Sequence, residues 1–298
     1  MLKNDLLRKK LDNGSMIKVG GAFDAMSAKL VENSGFDAIW AGSFAISATH
    51  ALPDASILTM TEFYDVASRM ATTCEIPIIA DCDTGYGGPS NVSHLVKKYE
   101  SAGISSICIE DKNFPKQNSL LENGKNDLIS EKEFVAKILA AKEARVDKNF
   151  MIIARIEALI SGAGMKEALN RASAYENAGA DAILIHSKQK TPDEIFEFTD
   201  SWKGNAPIVA IPTTYDNVSV SELESHKIKM IIYANQTLRI AHLAMTKCLE
   251  EMIGVEKLSD LKNEMSTMQE IFDLQEMYDL KDKEKEIEKE LKKLGYIN

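Results

Sequence analysis

The chain has 298 residues and a net charge of −10, which argues against nucleic acids and anionic membrane surfaces as main partners. No apolar run approaches the roughly 20 residues that cross a bilayer, and the charged N-terminus lacks an apolar signal core. We therefore expect a soluble, cytoplasmic protein. The four cysteines form no C-x-x-C pair, which favours reduced, mostly buried thiols.

Eight short segments rich in Ile, Val and Ala recur along the chain with little polar alternation, as is typical of parallel strands covered on both faces. The predicted strands are 16–20, 38–42, 76–81, 106–110, 151–155, 182–186, 207–211 and 230–234. Helical patterns fill the gaps, at 61–73, 89–102, 131–144, 166–178 and 237–253. In three of the units a glycine suited to a left-handed helix end precedes the strand, at Gly35, Gly103 and Gly179.

Alternation of strands and helices predicts a parallel sheet, either doubly wound or closed. Eight units, with no Gly-x-Gly-x-x-Gly at the first, favour a single (β/α)₈ TIM-type barrel of the α/β class with additional C-terminal helices. We assign residues 1–254 to the barrel. Residues 255–298 are highly charged, and we expect a helical extension that packs on the barrel or on a neighbouring subunit.

Polar residues follow the predicted strands at their C-terminal ends, where barrel enzymes carry their chemistry. Asp81 and Asp83 flank one residue, so an extended strand would point both to the same side, and Glu110 lies on the next strand. Three converging carboxylates repel each other unless a cation lies among them, and Mg²⁺ prefers oxygen ligands. We therefore predict a magnesium site at these residues, with Cys82 facing away into the packing. Taken alone, Asp83-Thr84-Gly85 would also suit a turn or a helix cap.

Two further strand ends carry Arg155 and His186. Arginine binds carboxylate and phosphate groups in a bidentate manner, so the pair predicts an anion contact opposite the acidic cluster. A lone histidine at a strand end is as often structural as catalytic. The other histidines, at positions 50, 94, 226 and 242, are interpreted as surface or packing residues.

The polar segment from Asn113 to the predicted helix at 131 is long for a loop between strand and helix, and long loops at this face are often lids. Within four residues it offers a cation, an amide and a hydroxyl, on Lys116, Asn118 and Ser119. The alternative interpretation is an ordinary surface loop.

These segments resemble a known family over roughly residues 15–250. The sequence DCDTGYG from Asp81 to Gly87 is similar to the magnesium motif of the isocitrate lyase/phosphoenolpyruvate mutase superfamily. Within it, EDKNFPKQNS from Glu110 to Ser119 resembles the phosphoenolpyruvate mutase group. One departure is the loop after Trp40, which commonly reads Gly-Ser-Gly and here reads Ala-Gly-Ser, so the hydroxyl comes one position later. Which side chain assists there is left open.

The lid separates this chain from related enzymes. Isocitrate and 2-methylisocitrate lyases carry a Lys-Cys-Gly-His type segment whose cysteine is the acid/base, whereas this chain has KQNS at 116–119. Phosphonopyruvate hydrolases typically have threonine where Asn118 stands, so Asn118 favours the mutase. The hydrolase is the main alternative, and an enzyme like 2-methylisocitrate lyase or oxaloacetate decarboxylase is a weaker one.

The resemblance implies an enzyme that interconverts phosphoenolpyruvate and phosphonopyruvate, making or breaking the carbon–phosphorus bond of phosphonate biosynthesis, with Mg²⁺ as cofactor and a homo-oligomeric state, tetramer or dimer. Asp54 aligns with the family's catalytic aspartate, as nucleophile or orienting group; its alternative is a cap of the following helix. The implied catalytic residues are Asp54, Lys116, Asn118, Arg155 and His186; the substrate contacts are Trp40, Gly42, Ser43, Asn118, Ser119, Arg155 and His186; the metal residues are Asp81, Asp83 and Glu110.

Overall fold

The computed structural model describes residues 3–262 and 265–297. Eight parallel strands pair in chain order, and the last pairs with the first to close a barrel. The strands are β1 (Ile17–Ala22), β2 (Ala38–Ala41), β3 (Ile78–Asp81), β4 (Ser106–Glu110), β5 (Met151–Ile156), β6 (Ala182–Ile185), β7 (Ile208–Ala210) and β8 (Ile228–Tyr233). The predicted (β/α)₈ barrel is thereby confirmed.

Helices follow the strands and continue beyond the last one. They are α1 (Lys3–Asp12), α2 (Ala25–Asn33), α3 (Ser43–Thr49), α4 (Met60–Thr73), α5 (Pro89–Ser101), α6 (Glu131–Ala144), α7 (Ala158–Ser161), α8 (Met165–Ala178), α9 (Asp193–Ser201), α10 (Val220–Ser225), α11 (Gln236–Met252), α12 (Met268–Leu274) and α13 (Met277–Lys293), with a 3₁₀ turn at Leu258–Asp260. Each predicted strand and helix has a counterpart whose ends differ by no more than two residues.

Local sequence explains where several helices begin and end. Ser130 caps α6 by accepting from the Glu133 N–H, while the Glu133 side chain accepts from the Ser130 N–H. The three repeated glycines that follow α2, α5 and α8 have φ of +83° (Gly35), +80° (Gly103) and +106° (Gly179). These left-handed angles suit glycine, so each helix ends where its strand must begin, as predicted.

The core has two layers, which the strands separate. One layer fills the barrel interior, and Leu7 of α1 belongs to it with no exposed surface. The other lies between the strands and the surrounding helices and includes Cys82, which confirms that this thiol packs away from the acidic residues. All four cysteines are free thiols, and only Cys248 is not buried.

The chain divides into two compact units, one up to Ile240 and one from Ala241 onward. This division falls within α11, before residue 254. The proposed packing of residues 255–298 on the barrel or on a neighbouring subunit stays a prediction. Within residues 3–262 and 265–297, no helix is both long and apolar enough to cross a bilayer. The cytoplasmic location also stays a prediction.

Candidate active site

The polar strand ends form the top layer of the barrel interior. In a strand, alternate side chains point to the same face, so a residue two positions after an interior core residue also points inward. Four predicted site residues follow this rule. The pairs of interior and site residues are Ile79 with Asp81, Cys108 with Glu110, Ile153 with Arg155, and Leu184 with His186. The barrel therefore brings two acids, a guanidinium and an imidazole to one end.

A cavity of about 470 Å³ opens above this layer, a volume suited to a small ligand. It is lined by Trp40, Gly42, Ser43, Phe44, Ala45, Asp54, Asp81, Lys116, Asn118, Ser119, Leu120, Leu121, Arg155, His186, Ile211, Thr213, Ala234, Asn235 and Arg239. Every predicted catalytic and substrate-contact residue is in this set, as is the metal residue Asp81, whereas the metal residues Asp83 and Glu110 do not line the cavity. The structure thus brings the predicted side chains together; their roles stay predictions.

Asp81 and Asp83 are neighbours, but not for the reason we expected. β3 ends at Asp81, and Asp83 has a left-handed backbone with φ of +50°, so the assumption of an extended strand through Asp83 is wrong. The Ser43 N–H and hydroxyl donate to Asp81 Oδ2 at 3.3 and 2.9 Å. Burial raises the pKa of Asp83 to about 7; Lys116 opposes this shift, and the neighbouring carboxylates reinforce it.

Lys116, in the segment predicted to form a lid, contacts two of the acidic residues of the site. Its Nζ lies 2.9 Å from Asp54 Oδ1 and 2.7 Å from Asp83 Oδ1, and it donates to Ser43 Oγ at 3.1 Å. Asn118 Nδ2 donates to Asp54 Oδ2 at 2.8 Å. Burial opposes ionisation of Asp54, but Lys116 and Asn118 outweigh it and lower the pKa of that carboxyl. Asp54 is therefore a buried anion held by two lid residues.

The alternative for Asp54, a cap of the next helix, is wrong. The N-terminal cap of α4 is Thr59, whose hydroxyl accepts from the Glu62 N–H while Glu62 accepts from the Thr59 N–H. Asp54 takes no part in this pair. Its position, in the segment between α3 and α4, directs it to the cavity instead.

Arg155 and His186 meet around a third residue, Glu157. Arg155 Nε donates to Glu157 Oε1 at 2.5 Å and lies 3.3 Å from Glu110 Oε2. His186 Nδ1 lies 2.8 Å from Arg155 Nη2 and 2.9 Å from Glu157 Oε1. Burial lowers the pKa of His186, and Arg155 acts in the same direction, so the ring is neutral near pH 7. Burial opposes ionisation of Glu157, but Arg155 and His186 hold its pKa well below the usual range.

We define the lid as residues 113–128, between β4 and α6. An antiparallel bridge between Lys112 and Leu128 joins its two ends. Lys112 is 1% exposed and donates from Nζ to Gln117 O at 2.5 Å, Ser119 Oγ at 2.9 Å and Asn126 Oδ1 at 3.2 Å. Ser119 Oγ in turn donates to Glu157 Oε2 at 2.6 Å. The segment is therefore an ordered cover over the cavity, which argues against an ordinary surface loop.

A second buried network, centred on Asp111, contacts the backbone of Glu157. Asp111 Oδ1 accepts from the Glu157 N–H at 2.9 Å, and its Oδ2 accepts from Arg171 Nη1 at 3.0 Å and Tyr175 OH at 2.8 Å. Burial raises the pKa of Asp111 to about 6, although these donors oppose the shift. Arg171 also donates to the carbonyl oxygen of Ile129, the residue that follows the lid. This network was not predicted from the sequence, because its members are separated by up to 64 positions along the chain.

The loop after β2 fixes the wall formed by Trp40, which is 2% exposed. A Cβ at Gly42 would lie 2.8 Å from Trp40 Nε1, so only glycine fits beside the indole. Three other polar residues that line the cavity, Thr213, Asn235 and Arg239, were not predicted as site residues. Only Asn235 had a sequence signal, its place directly after the predicted eighth strand.

The donor set agrees with a divalent cation in its charge and in its unpartnered oxygens. Across the described ranges, no three or more His, Cys, Asp or Glu side chains are arranged around a common metal position. Asp83 and Glu110 face Lys116 and Arg155 instead of converging with Asp81. Yet Asp83 Oδ2 and Glu110 Oε1 are buried without a hydrogen-bond partner among the described residues. Such orphaned acceptors are costly unless water or an ion reaches them.

The net charge of the cluster also agrees with a bound divalent cation. Five carboxylates, when ionised, face three cations among the described side chains of this cluster, an excess of two negative charges. The acids are Asp54, Asp81, Asp83, Glu110 and Glu157; the cations are Lys112, Lys116 and Arg155. One divalent cation would neutralise this excess.

A TIM-type barrel with this buried ionic layer under a lidded cavity defines an enzyme of small-molecule substrates. The family model described as phosphoenolpyruvate phosphomutase matches residues 7–253, and the chain belongs to that family. It is thus an enzyme of the phosphoenolpyruvate mutase/isocitrate lyase superfamily.

Relatives about 40% identical to this chain carry two different names. A phosphonopyruvate hydrolase from Variovorax sp. (strain Pal2) is 43% identical over 275 residues, 92% of this chain and 95% of that protein. A phosphoenolpyruvate phosphomutase structure from Streptomyces platensis subsp. rosaceus superposes with a TM-score of 0.93 at 43% identity, covering 95% of this chain and 98% of the other. A phosphonopyruvate hydrolase structure in complex with oxalate and Mg²⁺ has a TM-score of 0.89 at 41% identity, with the same coverage. Overall similarity therefore does not separate the two activities.

Proposed function

We propose that this enzyme interconverts phosphoenolpyruvate and phosphonopyruvate, the reaction that makes or breaks the carbon–phosphorus bond of phosphonates. The observation that carries the proposal is the hydrogen bond from Asn118 Nδ2 to Asp54 Oδ2, 2.8 Å long. It holds the lid over the cavity through a residue that the hydrolases typically replace with threonine. A closed lid matters because water competes with pyruvate for the phosphoryl group.

Mg²⁺ is the proposed cofactor, held by Asp81 directly and by Asp83 and Glu110 through water. The unpartnered oxygens of the last two and the excess negative charge support this assignment. The relative solved with oxalate and Mg²⁺ supports it independently. When bound, the ion supplies positive charge that stabilises the enolate form of pyruvate.

The chain's own side chains hold the two parts of the substrate. Phosphoryl transfer passes through a loose transition state, so positioning and charge dominate. We assign the phosphoryl oxygens to Arg155, His186, Asn118 and Ser119, all of which line the cavity. Ser119 and His186 both contact Arg155, and Asn118 precedes Ser119 in the chain. In a neutral His186, Nδ1 can accept from Arg155 Nη2, which leaves the proton on Nε2, and Nε2 can then donate to a phosphoryl oxygen. As the carbon–phosphorus bond breaks, its electron pair passes to the pyruvate enolate; a C2 oxygen–phosphorus bond then forms.

A second group of residues that line the cavity would hold the pyruvate. Trp40 packs against its plane, and Gly42 and Ser43 line the cavity beside Asp81, where the carboxylate of the keto acid would lie. For Asp54 we propose an orienting role. Both of its oxygens are engaged, one by Lys116 and one by Asn118, which disfavours attack on phosphorus.

The second candidate function is hydrolysis of phosphonopyruvate to pyruvate and phosphate. It is favoured by the 43% identity to a protein of that name along nearly its whole length. The two activities differ in whether the phosphoryl group returns to pyruvate or passes to water.

Phosphorus NMR separates them. Incubation with phosphonopyruvate and Mg²⁺ should give phosphoenolpyruvate as the main phosphorus product. Release of inorganic phosphate together with pyruvate would refute the mutase and establish the hydrolase. Turnover of 2-methylisocitrate or oxaloacetate would show a lyase or decarboxylase instead.

We also propose a homotetramer, or failing that a dimer. The unit from Ala241 onward exposes many large apolar side chains, among them Leu243 (52%), Leu249 (65%), Ile253 (91%) and Ile287 (61%). Exposed apolar surface of this kind usually marks a protein contact. Light scattering after size-exclusion chromatography should give a mass of about four chains, or two; a monomer at micromolar concentration would contradict the proposal.

A further inference from the structure

The lid encloses one buried ammonium group that the proposed reaction does not use. We divide the lid into a first arm, residues 113–119, and a second arm, residues 124–128. Lys112 Nζ donates to Gln117 O and Ser119 Oγ on the first arm and to Asn126 Oδ1 on the second. Lys112 does not line the cavity, so it does not touch a substrate there. Its hydrogen bonds instead join the two arms that must lie together for the cavity to be covered.

The hydrogen bonds of this ammonium give Lys112 a role beyond that of a counter-ion. The nearest carboxylate oxygens, on Glu110 and Glu157, are 3.9 and 4.0 Å away, beyond hydrogen-bond distance. All three hydrogen-bond acceptors belong to the lid. If the lid opened, the ammonium would lose them while the charge stayed near the barrel, because Lys112 lies only two residues after the end of β4. Hydrogen bonds from a charged donor are stronger than neutral ones, so these contacts favour the closed lid.

Ser119 connects the lid to the side chains that we assign to the phosphoryl oxygens. Its hydroxyl accepts from Lys112 and from Arg155 Nη2, at 2.9 and 3.2 Å, and donates to Glu157 Oε2. Arg155 and His186 both contact Glu157. A lid that loosens around Lys112 therefore also removes one hydrogen bond from the Arg155 guanidinium.

We propose that Lys112 is a positioning residue that ties the two arms of the lid together and thereby controls whether the phosphoryl group meets pyruvate or water. Only the claim that Lys112 controls the fate of the phosphoryl group rests on the proposed mutase function. The claim that Lys112 orders the lid can be measured without turnover.

The test compares Lys112→Met, which keeps an unbranched apolar side chain as far as the ε position but removes the ammonium, with Lys125→Met. Lys125 is an exposed lysine of the same lid whose side chain has no partner among the described residues. Hydrogen exchange of residues 113–128 is measured in the free protein, and the ratio of inorganic phosphate to phosphoenolpyruvate is then measured with phosphonopyruvate and Mg²⁺. For Lys112→Met we expect both to rise about tenfold or more, the effect of losing one charge-assisted hydrogen bond. Lys125→Met should match the wild type in both.

Unchanged lid exchange in Lys112→Met would overturn the inference, whatever the products. Faster exchange with an unchanged product ratio would also overturn it, provided that the wild type makes phosphoenolpyruvate. If the wild type releases only phosphate, the mutase proposal fails, and the lid role of Lys112 is judged by exchange alone. Should Lys112→Met not fold, Asn126→Ala removes one acceptor at a half-buried position. It should speed exchange of the first lid arm, and no change there would equally refute the role.

Discussion

Replacing Asn118 by alanine removes the contact on which the proposed function depends. Two hydrogen bonds are lost, from Asn118 Nδ2 to Asp54 at 2.8 Å and from the Leu120 N–H to Asn118 Oδ1 at 3.0 Å. The first involves an ionised carboxylate and is worth about 1.5–3 kcal/mol. Since each 1.36 kcal/mol is about a factor of ten in rate, kcat/KM for phosphoenolpyruvate formation should fall about 10- to 150-fold.

Phosphorus NMR and a coupled assay for pyruvate measure the rate and the product ratio together. Asn113→Ala is the matched control, because Asn113 is an exposed asparagine of the same lid that takes part only through its backbone. Asn118→Thr should lower mutase turnover and raise the share of phosphate released. A rate of phosphoenolpyruvate formation in Asn118→Ala within about twofold of wild type would refute our assignment of the lid contact.

Three further predictions follow from the geometry. The pKa of His186 in the free protein should lie below its ordinary value of 6.5, so the ring should protonate only at lower pH; a ¹⁵N NMR titration midpoint at or above 6.5 would contradict this. Arg171→Met leaves the buried Asp111 carboxylate without its cation and should cost about 3–5 kcal/mol, seen in calorimetry as a fall in Tm of roughly 6–20 °C; an unchanged Tm would show that the pair contributes little. Gly42→Ala places a methyl 2.8 Å from Trp40 Nε1, so oxalate binding with Mg²⁺ should weaken in titration calorimetry, whereas wild-type affinity would mean that the indole moves freely.

Much of the fold could be predicted because a parallel barrel buries both faces of its strands. The eight apolar segments were therefore visible as runs, and the three glycines after helices marked the return to a strand. The same alternation that fills the interior places Asp81, Glu110, Arg155 and His186 in one layer, so these side chains were predictable from strand ends alone.

Other features of the site depend on tertiary contacts that no local pattern records. The backbone of Asp83 turns left-handed, which an extended-strand argument does not foresee. Asp111 meets Tyr175 across 64 positions, and Lys112 finds its acceptors only when the lid folds back on itself. Asp54 was recognised only by family resemblance, because it lies in an irregular segment between α3 and α4.

The most direct test of the central claim follows the oxygen atoms of the phosphoryl group. Phosphonopyruvate and Mg²⁺ are turned over in H₂¹⁸O, and the phosphorus products are resolved by the isotope shift of their ³¹P signals. If the lid held by Asn118 keeps water out, the product should be phosphoenolpyruvate with no ¹⁸O in its three non-bridging phosphoryl oxygens. Inorganic phosphate carrying one ¹⁸O atom as the main product would contradict the account, because the phosphoryl group would then have passed to water.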